Sequence, residues 1–72
     1  MSYGDSRVYK KVEVIGTSEH SVEAAIQQAV NRAKESLECL SWFEVQEVRG
    51  HIDDDGKVSE YQVVLKIAFE LS

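Results

Sequence analysis

Four side chains in this sequence could act together on a ligand: Trp42, the single tryptophan, Gln62, and the pair Arg49 and His51. Trp42 heads the strand-like run Trp42-Phe43-Glu44-Val45, where an indole serves either as a stacking platform for a planar ligand or as an anchor for a core or an interface. Gln62 falls on the polar side of an alternating run. Its amide supplies both donor and acceptor, which suits the edge of a heterocycle with alternating carbonyl and imide groups, although an ordinary surface glutamine has the same pattern. Arg49 and His51 stand one strand step apart and could meet a phosphate or a carboxylate, or Arg49 could enter a cross-strand salt bridge. The remaining polar clusters reduce to folding roles. Asp53-Asp54-Asp55-Gly56 lacks the spaced pattern of a calcium loop, and three consecutive carboxylates cannot all turn inward, so a solvated turn is expected. Gly16-Thr17-Ser18 could bind an anion through backbone amides, yet helix capping explains it equally. Cys39, His20 and His51 lack metal-ligand spacing, and nothing marks a nucleophile elbow or an acid/base pair. No metal site and no catalytic residue are therefore expected.

The elements that must position these residues can be read from periodicity. Val8 to Ile15 is rich in β-branched residues, with Val8, Val12 and Val14 on one parity and Gly16 closing the run, which predicts a first strand. Thr17 and Ser18 then offer an N-cap oxygen, and Glu19 and Glu23 suit the positive end of a helix dipole. The apolar positions Val22, Ala25, Ile26, Ala29, Val30, Ala33, Leu37 and Leu40 fit one helical stripe, in which the small alanines allow close approach to a sheet. Gln27, Asn31, Lys34, Glu35 and Glu38 form the solvated side. A second strand is expected from about Trp42 to Ile52, but its apolar phase switches between Phe43/Val45 and Val48/Ile52. Such a switch implies a bulge, a strong bend or burial on both faces, and each implies a curved sheet. After the Asp53 to Gly56 turn, Tyr61, Val63, Leu65, Ile67, Phe69 and Leu71 alternate with Glu60, Gln62, Val64, Lys66, Ala68 and Glu70. One face of this third strand is wholly apolar and should meet the helix. The expected class is α+β with the order β-α-β-β: a three-stranded, antiparallel, curved sheet wrapped around one helix, with strands two and three as a hairpin.

The chain has 72 residues and is read as one domain over residues 1–72, with Ser2 to Ser6 as a frayed, disordered tail. A chain this short hides only about 60% of its unfolded surface, so its own core is marginal. A single cysteine rules out an intrachain disulfide, which leaves association with copies of itself as the route to stability. Open sheet edges point the same way. No apolar run approaches the roughly 20 residues needed to cross a bilayer, and the polar start lacks a signal-peptide core, so no membrane association and a cytoplasmic location are expected. The formal charge of -5 opposes binding to nucleic acid.

The strings Val8-Tyr9-Lys10-Lys11-Val12-Glu13, Gly16-Thr17-Ser18, Trp42-Phe43-Glu44-Val45, Arg49-Gly50-His51-Ile52 and Tyr61-Gln62-Val63 occur in this order within that β-α-β-β pattern. With them the chain resembles the dodecins, small flavin-binding proteins, over Arg7 to Leu71. The resemblance implies a hollow homododecamer that stores and sequesters flavins and protects them from photochemistry, and that is not an enzyme. Flavins would bind in pairs at subunit contacts, each ring between its partner and Trp42, with Gln62 bonded to the ring edge and Arg49 near the ribityl or phosphate portion. It also implies coenzyme A as a second ligand of some members, near Arg32 and Ser36. Among FMN, FAD, riboflavin and lumichrome the resemblance does not choose. One departure bears on that choice: many bacterial members carry arginine where this chain has Glu70, and a carboxylate there removes a partner for phosphate. Alternative readings are a flavin-dependent enzyme and a flavin-free shell that is structural or stores cations.

Overall fold

The computed structural model describes residues 6–71. Most of the expected N-terminal tail therefore lies outside the described residues. The element order is β1 (Val8–Ser18), α1 (Val22–Lys34), β2 (Leu40–Ile52) and β3 (Val58–Leu71). β3 lies in the centre and pairs antiparallel with both neighbours, giving the sheet order β1-β3-β2. This is the β-α-β-β arrangement that the periodicities predict.

The core forms where the helical and strand periodicities meet. Ala25, Ala29 and Ala33 recur every four residues along α1, and they pack on Val63, Leu65 and Ile67, the alternate residues of β3. Val12, Val14, Val22, Ile26, Val30, Leu37 and Leu40 pack around this nucleus while remaining partly exposed. Close approach of helix and sheet is enforced at Gly16. A Cβ there would lie 2.0 Å from the Ala25 carbonyl oxygen and 3.0 Å from the Ala29 Cβ. Only glycine leaves room for the helix at that crossing.

Four expected boundaries are corrected. Gly16 does not close the first strand: Gly16, Thr17 and Ser18 continue the β1 ladder opposite Val63, Gln62 and Tyr61. Thr17 and Ser18 accordingly do not cap the helix. Ser21 is the N-cap, its Oγ accepting from the Ala24 N–H at 2.9 Å, while the Ser18 Oγ accepts from the His20 N–H at 2.9 Å in the turn before it. Glu23 alone of the two expected acids lies in the first helical turn. The helix stops at Lys34 rather than running to Leu40, because its last turn tightens: the Glu35 N–H donates to the Arg32 carbonyl and the Ser36 N–H to the Ala33 carbonyl, each at 3.1 Å. Leu37 and Leu40 still reach the core, but from non-helical backbone. β2 begins at Leu40, two residues before Trp42.

The phase switch in β2 is a bulge. Val45 pairs with Leu65 and Glu47 with Val64, so Gln46 is the extra residue, and Val45 and Val48 both face the helix side. Ser41 and Ser59 mark two further register shifts. Asp53 to Gly56 forms the β2–β3 turn. The Asp53 Oδ1 accepts from the backbone N–H groups of Asp55 and Lys57 at 3.0 Å each, and Gly56 takes a φ of 81°.

The helix packs on β1 and β3. It leaves much of the β2 end of the same face uncovered, where Phe43, Val45, Val48 and Ile52, with Val58 of β3, stay exposed. The molecule measures 55 × 21 × 15 Å with a radius of gyration of 15.1 Å, against about 11 Å for a compact chain of this length. Alone, this chain leaves that apolar strip uncovered.

Candidate functional site

Strand alternation and register place Trp42, Gln62 and Arg49 on the sheet face that turns away from α1. Trp42 lies opposite Ala68, and Arg49 lies opposite Gln62. On β1 the same face carries Tyr9, Lys11 and Glu13, opposite Glu70, Ala68 and Lys66. The residues form two groups at opposite ends of the sheet.

The first group is built around Trp42. Lys11, Ala68 and Trp42 form one row across the three strands, and the small, fully buried Ala68 leaves the flanking side chains space above it. Glu44 follows Trp42 by one strand step, so it shares the face. The Trp42 indole Nε1–H donates to Glu44 Oε2 at 2.9 Å, and the Lys11 ammonium donates to both carboxylate oxygens of Glu44 at 3.1 and 3.2 Å. Tyr9 completes the group with a ring centroid 4.9 Å from that of Trp42 and a tilt of 56°. The indole N–H holds the Glu44 carboxyl below its usual pKa, with the Lys11 ammonium adding to the effect. Trp42 is held at its edge and beside one ring, and still has 44% of its surface exposed.

The second group is a polar chain. Arg49 Nε–H donates to Gln62 Oε1 at 2.8 Å, the Gln62 amide Nε2–H donates to Glu60 Oε1 at 2.9 Å, and Arg49 is 3.7 Å from Glu47. A guanidinium cannot accept and a carboxylate cannot donate, so these neighbours fix which way the Gln62 amide points. One amide hydrogen and one oxygen lone pair remain free. His51 extends the row opposite Glu60. Arg49 thus contacts Gln62 across the strands and Glu47 along its own strand.

The two groups do not meet within one chain. Ala68 and Gln62 are six residues apart on β3, roughly 20 Å along a strand. A flavin ring can stack on Trp42 and bond to a glutamine amide in the same complex only if that amide comes from another copy. With that condition the residues fit the group: a half-exposed indole fixed at its edge, and an amide of fixed polarity.

Arg32 and Ser36 lie elsewhere. Arg32 is on the solvated side of α1, its side chain 86% exposed and 3.6 Å from Glu35, and Ser36 follows in the turn after the helix. The negative end of the helix dipole faces this region and opposes phosphate. Among the described residues, no three His, Cys, Asp or Glu side chains cluster as a metal site would need. Also among these, no helix is long and apolar enough to cross a membrane. Tyr9, Lys11 and Glu44 were not singled out from the sequence. The shared parity of Trp42 and Glu44 could have exposed the second, but Tyr9 and Lys11 reach Trp42 only through the β1-β3-β2 register.

The family model named Dodecin matches residues 8–72. Dodecin of Thermus thermophilus is 58% identical over 65 residues, which cover 90% of this chain and 93% of the relative. The solved structure of dodecin from Streptomyces davaonensis has a TM-score of 0.89 at 40% identity, covering 94% of this chain and 98% of that one. Calcium dodecin of Mycobacterium tuberculosis is 36% identical over 64 residues, 89% of each protein. Its crystal structure, described as a calcium-chelating antigen with a novel calcium-binding site, has a TM-score of 0.78 at 35% identity and covers 90% of this chain and 91% of that one.

Proposed function

Since the chain belongs to the dodecin family, we propose that it binds and sequesters flavins at contacts between copies of itself, each ring stacking on Trp42. The observation that carries this reading is the held, half-exposed indole on the open sheet face. An indole fixed in this way loses little freedom when a ring lies against it. Gln62 would read the ring edge from a different copy, since its own chain places it roughly 20 Å from Trp42. Pairing of flavins across such a contact would complete their desolvation, in a homododecamer like that implied by the resemblance.

When bound, the flavin supplies a light-excitable electron acceptor. The chain's part is to hold Trp42 against the ring, exclude water from that face and bond to the ring edge. A ring packed on Trp42 and on a second flavin leaves no face for another substrate, which supports storage and photoprotection rather than turnover. Oxidation of a reduced nicotinamide cofactor by the purified holoprotein would count against this.

Charge bears on the choice of flavin. Glu70 lies opposite Tyr9, at the Trp42 end of the face, and the chain carries a formal charge of -5. Both disfavour a phosphate there, so riboflavin and lumichrome should bind at least as tightly as FMN or FAD. Coenzyme A gains little support from an exposed Arg32 already paired with Glu35. A second reading, cation binding, is favoured by the relative named calcium dodecin. Here it would need carboxylates from several copies, and calorimetric titration with calcium tests it.

The flavin reading is tested by titrating the purified protein with riboflavin and FMN while following flavin emission. Strong quenching in the native protein and its loss in Trp42→Ala are expected. Unquenched emission in both would reject the reading.

A further inference from the structure

The contact at the indole nitrogen is charged, and its partner is itself shared. Trp42 Nε1–H lies 2.9 Å from a Glu44 carboxylate oxygen, and the Lys11 ammonium lies on the same carboxylate at 3.1 and 3.2 Å. Packing alone does not require this arrangement, because Trp42 is already flanked by Tyr9 and the face is open to solvent. A neutral acceptor, or water, would satisfy the N–H equally well.

Resting on the flavin reading above, we propose that Glu44 and Lys11 act as an opposed pair that orients Trp42 and sets how readily its indole gives up an electron to a bound, photo-excited ring. The electron balance is simple. Trp42 loses one electron to the excited flavin, which is the oxidant, and recovers it on return. No bond forms or breaks, and the indole keeps its proton. During the excursion the indole carries a positive charge, which the Glu44 carboxylate a hydrogen bond away stabilises. Lys11 offsets part of that effect. Lys66, which lies opposite Glu44 in the sheet, adds a more distant positive charge. The indole N–H first and Lys11 next lower the Glu44 pKa, as expected where both contacts favour the charged carboxylate.

Glu44 and Lys11 are positioning residues that need not touch the flavin, and opposite signs distinguish their effect from simple support of the ring. Glu44→Gln keeps a hydrogen-bond acceptor and removes the charge, whereas Lys11→Gln leaves the carboxylate uncompensated. Both side chains are exposed, so neither change should prevent folding. Two readouts on the full-length protein decide the matter. In the flavin-free protein, voltammetry of the single tryptophan should show Trp42 harder to oxidise in Glu44→Gln and easier in Lys11→Gln, with the signal identified by its absence in Trp42→Phe. With riboflavin bound, the excited-state lifetime should lengthen about threefold to tenfold in Glu44→Gln, the scale of one unit charge near the ring in a partly wet site, and shorten in Lys11→Gln. Shifts in the same direction in both variants, as a loosened ring would give, or no shift in either, would overturn the proposal. Failure of the native protein to bind riboflavin would instead reject the flavin reading, and the voltammetry would still decide what the pair does to Trp42.

Discussion

Trp42 combines a fixed edge with an open face, and the consequences can be checked one side chain at a time. Trp42→Ala removes the stacking surface, and flavin affinity should fall about tenfold or more. Because the indole is half exposed in the single chain, the variant should keep the parent's secondary structure by circular dichroism. The Glu44 carboxylate adds a pH dependence. Its pKa in the folded chain is lowered by the Trp42 N–H and then by Lys11, with Lys11 and Glu13 on β1 and Lys66 on β3 as the charged neighbours on its face. A carboxylate with a lowered pKa contributes its interaction above the unfolded value and loses it as pH falls through the folded value. Tryptophan emission should therefore change with a midpoint below that of an ordinary glutamate, and Glu44→Gln should abolish that step. The sequence displays Trp42, Gln62 and Arg49 through residue type and strand parity alone. It does not display the reach of Lys11 to Glu44, of Tyr9 to Trp42 or of Arg49 to Gln62, because these depend on which strand lies beside which.

Among the elements, β2 shows how a local irregularity serves the face it builds. Without the bulge at Gln46, Val45 and Val48 would face opposite sides, and Arg49 would leave the face it shares with Gln62. Deleting Gln46 removes the extra residue itself, so it should straighten β2 while leaving Arg49 opposite Gln62, and flavin binding should survive it, which parallel titration and circular dichroism would reveal. The switch of apolar phase is compatible with a bulge, a strong bend or burial on both faces, and the register shows that the bulge is what keeps both valines on one side. The helix ends were less legible. Gly16-Thr17-Ser18 has the composition of a cap and yet continues β1, because pairing with β3 satisfies its backbone and Ser21 provides a better placed oxygen. Gly16 is required there by the helix crossing. Gly16→Ala should force α1 off the sheet and cost about 3 kcal/mol, read as a lower midpoint in urea denaturation. Cys39 ends the loop with a φ of 60°, a conformation that favours glycine. Cys39→Gly should be neutral or stabilising by up to about 1 kcal/mol, whereas a β-branched residue there should destabilise.

At the scale of the molecule, the central facts are a 55 Å length, a core whose largest fully buried side chains are Leu65, Ile67 and Val63, and an apolar strip along β2 that the helix leaves open. A chain with so small a core gains from association, and the proposed flavin site needs a second copy because Trp42 and Gln62 lie far apart on their own sheet. Val48 is 52% exposed in the single chain, so Val48→Asp would cost little if the protein worked alone. In an assembly that buries the strip it should prevent association and abolish flavin binding together, as sedimentation and titration would show. A monomeric parent would remove the basis for a shared site. Length, cysteine count and open edges lead to the expectation of association, but they do not point to this particular strip, because it depends on how far the helix reaches across the sheet. The central claim, a flavin ring stacked on Trp42, is tested most directly by one titration of the purified protein with riboflavin, following flavin emission to saturation. Near-complete quenching, stoichiometric in Trp42, is the expected result, and emission that stays at the level of free riboflavin throughout would contradict it.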